Sequence, residues 1–125
     1  MSQTRILIVE DDAALREALT DTLNAAGYSV ASASGGTEAL EIFAREPITV
    51  VVSDVAMQPM DGQALLAEIK RLRPDVPVIL MTAYGTIAQA VTAMQRGAVD
   101  YLVKPVSEAV LVAKAQEVLD RGPNA

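Results

Sequence analysis

The sequence predicts an α/β protein built on a doubly wound, five-stranded parallel sheet, and three observations predict it. Short apolar runs alternate five times with amphipathic stripes of helical period, the pattern of parallel strands joined by crossover helices. Three of the runs, ILIV, TVVVS and VILMT, are nearly unbroken, as suits strands covered on both faces. The stripes stop at Gly27, Pro47, Pro74 and Gly97, residues that end helices. A chain of 125 residues that is 51% hydrophobic and 21% charged fits one folded domain with its own core. Residues 1–121 are read as that domain, and residues 122–125, Gly-Pro-Asn-Ala, as the start of a linker or a chain end.

Taken in order, the first strand is expected at 5–9. The helix after it carries Leu15, Ala18, Leu19, Thr22, Leu23 and Ala26, with Asp12 as N-cap and Gly27 as stop. The second strand is expected at 29–33, with a helix from about 36 to 45 halted by Pro47. The third strand, at 49–53, leads to a helix carrying Leu65, Leu66, Ile69 and Leu72. The fourth, at 78–82, leads to a stripe of Ile87, Ala90, Val91 and Met94. The fifth, at 100–103, precedes a last helix that opens after Pro105, is capped by Ser107 and carries Leu111, Ala115, Val118 and Leu119. Val110 and Val112 lie ~100° to either side of Leu111, so at least one is expected to leave the core stripe, unless the buried face is broad. Five such strands most often take the order 2-1-3-4-5, which makes the first and third neighbours and puts a ligand crevice at their carboxyl ends.

Composition narrows the chemistry. The chain has no Cys, which excludes disulfides and thiolate sites, and no His, which excludes imidazole acid–base chemistry and any phosphohistidine of its own. A net charge of −6 argues against direct binding of nucleic acid or anionic membrane. No apolar run approaches the ~20 residues of a membrane span and no signal peptide is visible, so the expected location is cytoplasmic.

Carboxylates, hydroxyls and lysine remain. Glu10, Asp11 and Asp12 directly follow the first strand, Asp54 follows the third, Thr82 ends the fourth and Lys104 follows the fifth. Singly, each has an ordinary reading: acids at a helix N-terminus, a turn-forming Asp, a β-branched strand residue, a solvated lysine. Together they occupy the carboxyl ends of four strands. Carboxylates so close raise one another's pKa, and a hard cation such as Mg²⁺ relieves this through oxygen ligands. Acids, a hydroxyl and an ammonium on one rim suit phosphoryl transfer, with Asp54 as nucleophile.

The segments ILIVEDD, SDVAMQPMDG, ILMTAYG and VDYLVKP resemble the signature blocks of response-regulator receiver domains of two-component signalling. The resemblance spans residues 5 to 119, and MTAYGTIAQAVTAMQRGAVDYLVKP is most similar to the receivers of nitrogen-regulation-type, sigma-54-dependent transcription activators. It implies a flavodoxin-like (CheY-like) three-layer sandwich and a phosphoacceptor regulatory domain rather than an enzyme. Asp54 would take a phosphoryl group from a sensor histidine kinase, the domain assisting that transfer and its own slow dephosphorylation. Asp11 and Asp54 would bind Mg²⁺ directly, Glu10 through water, and the backbone carbonyl of Ala56 would complete the protein ligands. Lys104 and Thr82 would hold phosphoryl oxygens, Tyr101 would follow Thr82 inward, and the bond before Pro105 would be cis. Asp12 aligns with the helix start instead of the metal. The signal would leave through the fourth helix, fifth strand and last helix, a face that could also form a homodimer, and a downstream effector domain would make any DNA contact. One departure stands out: Met57-Gln58-Pro59 displaces the family's proline by one residue, while Ala56 and Met60-Asp61-Gly62 keep their spacing from Asp54.

Other classes were weighed on the same residues. A phosphohydrolase with a nucleophilic Asp needs a second acid two residues on, where Ala56 stands. A flavin or dinucleotide carrier needs a Gly-, Ser- or Thr-rich first loop, where this chain has three acids. A receiver that serves protein contacts without being phosphorylated conflicts with the intact acid set, and treatment with a phosphodonor separates the two.

Overall fold

The computed structural model describes residues 4–58, 60–83 and 85–120, so the expectations for Pro59 and for residues 122–125 lie outside the described residues. The elements run β1 (Arg5–Val9), α1 (Ala13–Ala25), β2 (Ser29–Ala33), α2 (Gly36–Arg45), β3 (Val50–Asp54), α3 (Gly62–Leu72), β4 (Val78–Thr82), α4 (Ile87–Gln95), β5 (Asp100–Val103) and α5 (Glu108–Asp120). All strand pairs are parallel and the order is β2-β1-β3-β4-β5, as expected.

Side chains on a strand alternate between faces, and β1 shows what that does here. Ile6 and Ile8 pack with Leu19 and Leu23 of α1 and Leu111, Ala115 and Val118 of α5. Leu7 and Val9 pack on the opposite face with Ile42 and Phe43 of α2 and Leu65, Leu66 and Ile69 of α3. The result is a three-layer sandwich in which β3 and β4 are buried along their whole length. Among the described residues no helix is long and apolar enough to cross a membrane.

Four helices start on a side-chain cap next to the carboxyl rim of the sheet, which satisfies a backbone donor there. Asp12 accepts from Leu15 N–H at 3.1 Å, Asp61 from Ala64 at 2.8 Å, Thr86 from Gln89 at 3.1 Å and Ser107 from Val110 at 3.1 Å. α1 and α4 end at Gly27 and Gly97, whose φ values of 98° and 108° favour glycine.

Four expectations are corrected. β3 begins and ends one residue later than expected, because its pairing with β4 runs on to Asp54 opposite Met81; Asp54 is therefore the last strand residue. Leu72, placed in the buried stripe of α3, is exposed at the helix end. The largest difference is α4. Its stripe faces outward, with Ile87 86%, Val91 48% and Met94 47% exposed, and only Ala93 is fully buried. α4 lies over β5, the edge strand, and reaches the core through small side chains. Spacing locates an apolar stripe but does not tell which way it points. In α1, Ala18 and Ala26 are likewise exposed, whereas the α5 stripe is buried or half-buried, with Val110 outside it and Val112 against the core.

The β3–α3 loop is held by its backbone: Val55 N–H donates to Met81 O at 2.8 Å, and Gly62 N–H to Val55 O at 2.9 Å. A Cβ on Gly62 would collide with the Asp54 carbonyl oxygen and approach Val55 Cα to 2.8 Å. Gly62→Ala should therefore lower stability by about 1–3 kcal/mol, the usual range for overpacking, read as a lower urea midpoint.

Candidate functional site

Four strand ends lie along one rim of the sheet. Glu10 follows β1, Asp54 ends β3, Thr82 ends β4 and Lys104 follows β5. Because β1 and β3 are neighbours, their acids meet: one carboxylate oxygen each from Glu10, Asp11 and Asp54 lies within 4.8 Å of the others. Glu10 is 1% and Asp54 4% exposed, Thr82 is equally buried, and Asp11 faces solvent.

Lys104 joins the two buried acids. Its Nζ lies 2.7 Å from Glu10 Oε1 and 3.2 Å from Asp54 Oδ1. Its backbone N–H donates to the Thr82 carbonyl at 2.7 Å, tying the ends of β4 and β5, and the Lys104–Pro105 peptide is cis. Burial pushes the Glu10 carboxyl above the usual carboxylate range, and the Asp54 charge adds to this, against the opposing bonds from Lys104 and the Asp12 N–H. For Lys104, burial works to lower the pKa, but the Glu10 hydrogen bond and the charges of Asp54 and Glu10 outweigh it, so the ammonium is held above its ordinary value.

The remaining predicted residues sit around this centre. Ala56 lies exposed in the loop two residues past Asp54. Tyr101, half-buried in β5, turns toward α4, with its hydroxyl 3.5 Å from Gln89 Oε1. It borders a cleft of about 300 Å³ between α3 and α4, lined also by Val55, Gln63, Thr92 and Arg96.

Two features escaped the sequence reading. Glu10, expected only as an indirect aid to a metal, is the nearer partner of Lys104, and its other oxygen accepts from Asp12 N–H at 3.2 Å. Arg16, in the first turns of α1, donates from Nη1 to the Glu10 carbonyl at 2.8 Å. The one available signal was its position on the face of α1 above the acid run, which by itself reads as a surface cation.

The donors offered by the acids are all oxygens, two of the three acids are buried, and the set fits a hard divalent cation such as Mg²⁺.

Comparison with known proteins agrees with this arrangement. Residues 6–116 match the family model of the response regulator receiver domain. The chain is 48% identical over 120 residues to the response regulator protein FleR of Pseudomonas aeruginosa, covering 95% of this chain and 25% of that one. It is 40% identical over 116 residues to the transcriptional regulatory protein GlrR of Escherichia coli, covering 93% and 26%. It thus spans about a quarter of the length of these relatives. Among solved structures it superimposes on a CheY-like response regulator receiver domain protein of Methanospirillum hungatei with a TM-score of 0.91, at 33% identity and 96% coverage of both chains. On NtrX of Brucella abortus the TM-score is 0.89 at 31% identity, over 96% of this chain and 28% of that one. The parallel order β2-β1-β3-β4-β5, the acids at the ends of β1 and β3 and the match over residues 6–116 lead to one conclusion: the chain belongs to the response regulator receiver domain family, the phosphoacceptor module of two-component systems.

Proposed function

We propose that Asp54 is the phosphoacceptor of this receiver and that its donor is the phosphohistidine of a sensor histidine kinase. The observation that carries the reading is the position of Lys104, whose ammonium touches both buried acids from the far side of the sheet. An Asp54 carboxylate oxygen forms the bond to phosphorus as the bond from phosphorus to the kinase imidazole breaks. Lys104 and the Thr82 hydroxyl then meet the phosphoryl oxygens, which carry charge and strong acceptors. Glu10, Asp11 and Asp54, with the Ala56 carbonyl, would hold Mg²⁺, Glu10 acting through water once Lys104 has turned to the phosphoryl group. Bound there, Mg²⁺ supplies charge neutralisation for the oxygens of the transferring group.

The switch follows from the same residues. Thr82 and Lys104 would move toward the new oxygens, Tyr101 would swing into the space beside Thr82, and α4, β5 and α5 would repack as one two-state element. The outward stripe Ile87, Val91 and Met94 on α4 and the exposed Val103 on β5 supply apolar surface suited to pairing two copies of the domain. The sequence likeness to the response regulator FleR and the transcriptional regulatory protein GlrR supports a cytoplasmic setting and an effector segment that makes any DNA contact, since this domain carries a net charge of −6. We take residues 1–121 as the receiver module.

A small phosphodonor with Mg²⁺ should add the mass of one phosphoryl group to the wild-type chain. Asp54→Ala, or chelation of the metal, should abolish the gain; equal labelling of Asp54→Ala would sink the assignment, and no labelling of wild type would favour a receiver used only for contacts. Amide spectra of the phosphorylated form should shift through residues 85–103, whereas changes confined to the pocket would refute the relay. Val91→Glu, on a half-exposed position, should leave phosphorylation intact and prevent phosphorylation-dependent dimers in sedimentation experiments.

A further inference from the structure

Asp11 is the one acid of the cluster that is exposed, and among the described residues no hydrogen bond or ion pair restrains its carboxylate. Its direction depends on its backbone. The peptide that enters Asp11 carries the Glu10 carbonyl, and Arg16 Nη1 grips that oxygen at 2.8 Å. Arg16 is half-buried, and its charge acts on Glu38 of α2, whose carboxylate is bound by Ser34 N–H at 2.7 Å and Ser34 Oγ at 3.1 Å. Through its bond to the Glu10 carbonyl, Arg16 ties the turn between β1 and α1 to the body of α1. The other polar groups of Glu10 are already committed: its N–H to Ala33 O at 3.1 Å, Oε1 to Lys104 and Oε2 to Asp12 N–H.

We infer that Arg16 is a positioning residue for the metal: by holding the Glu10–Asp11 peptide, it aims the Asp11 carboxylate toward Asp54. The inference rests on the reading of the acid cluster as a Mg²⁺ site. It makes a prediction whose sign separates it from simple electrostatics. Arg16 carries a permanent positive charge. If that charge were its whole effect, it would repel Mg²⁺, and its removal would tighten binding. If it positions Asp11, its removal loosens binding. Groups that orient metal ligands from behind typically change metal affinity by roughly 10–100-fold when removed.

The test is Mg²⁺ titration of the full, unphosphorylated chain, followed by calorimetry and by the amide shifts of residues 10–12 and 54. Arg16→Met should weaken Mg²⁺ binding about tenfold, at the low end of that range. Arg16→Lys, which keeps the charge and one donor to the carbonyl, should recover most of the affinity and guards against a failure of Arg16→Met to fold. Arg71→Met, which removes an exposed cation paired among the described residues with Glu68 alone, should change nothing. In an Asp11→Asn background the Arg16→Met effect should vanish, because the two act through one carboxylate. Unchanged or tighter Mg²⁺ binding by a folded Arg16→Met, or an effect that persists without the Asp11 charge, overturns the inference. Absence of saturable Mg²⁺ binding by the wild type would instead remove the metal reading beneath it.

Discussion

Two carboxylates buried side by side at the end of a parallel sheet repel each other and lose their hydration, and the ammonium of Lys104 is what lets Glu10 and Asp54 share that space. Everything else about the site serves this contact. The strand order makes β1 and β3 neighbours, which brings the acids together. β4 alone separates β5 from β3, and a lysine side chain is long enough to cross that gap. The Lys104 N–H on the Thr82 carbonyl keeps β4 and β5 level, so the ammonium arrives at the height of the acids. A surface ion pair would contribute little to stability. This one is nearly dry on the acid side, where leaving either carboxylate unpaired would be costly.

Much of the architecture was legible because it rests on burial. β3 and β4 are covered on both faces and must be apolar throughout, so their runs announce a central parallel sheet. The caps Asp12 and Ser107 and the stops Gly27 and Gly97 are local chemistry, readable from a few residues. The site was legible as a conjunction, since acids, hydroxyl and lysine each fall at a strand end. What stayed hidden depends on three-dimensional direction. The α4 stripe has the right spacing for a core face but points to water, because the sheet ends beneath that helix. Arg16 acts on a backbone carbonyl, a partner with no sequence signature. That Glu10 is the closer partner of Lys104 depends on side-chain reach, which spacing does not encode.

The pocket and the outward face of α4 are separated by few residues. Thr82 ends β4, Thr86 caps α4 and Gln89, one turn on, meets the Tyr101 hydroxyl. Between them Gly85 sits so close to β5 that a Cβ there would come within 2.6 Å of Val103 Cγ2. A displacement at the end of β4 thus has a short, mechanically continuous path to the apolar surface, through backbone and one aromatic ring.

The thin anchorage of α4 has a consequence of its own. A helix secured by leucines surrenders several buried methylenes when it shifts, each contributing about 0.8 kcal/mol. α4 is secured mainly by Ala93, and its larger side chains are already in water. Rotating or sliding it therefore sacrifices less buried apolar surface than the same movement of α3 or α5 would. What looks like poor packing amounts to a loose hinge pin, leaving one helix free to turn while the rest of the sandwich holds still.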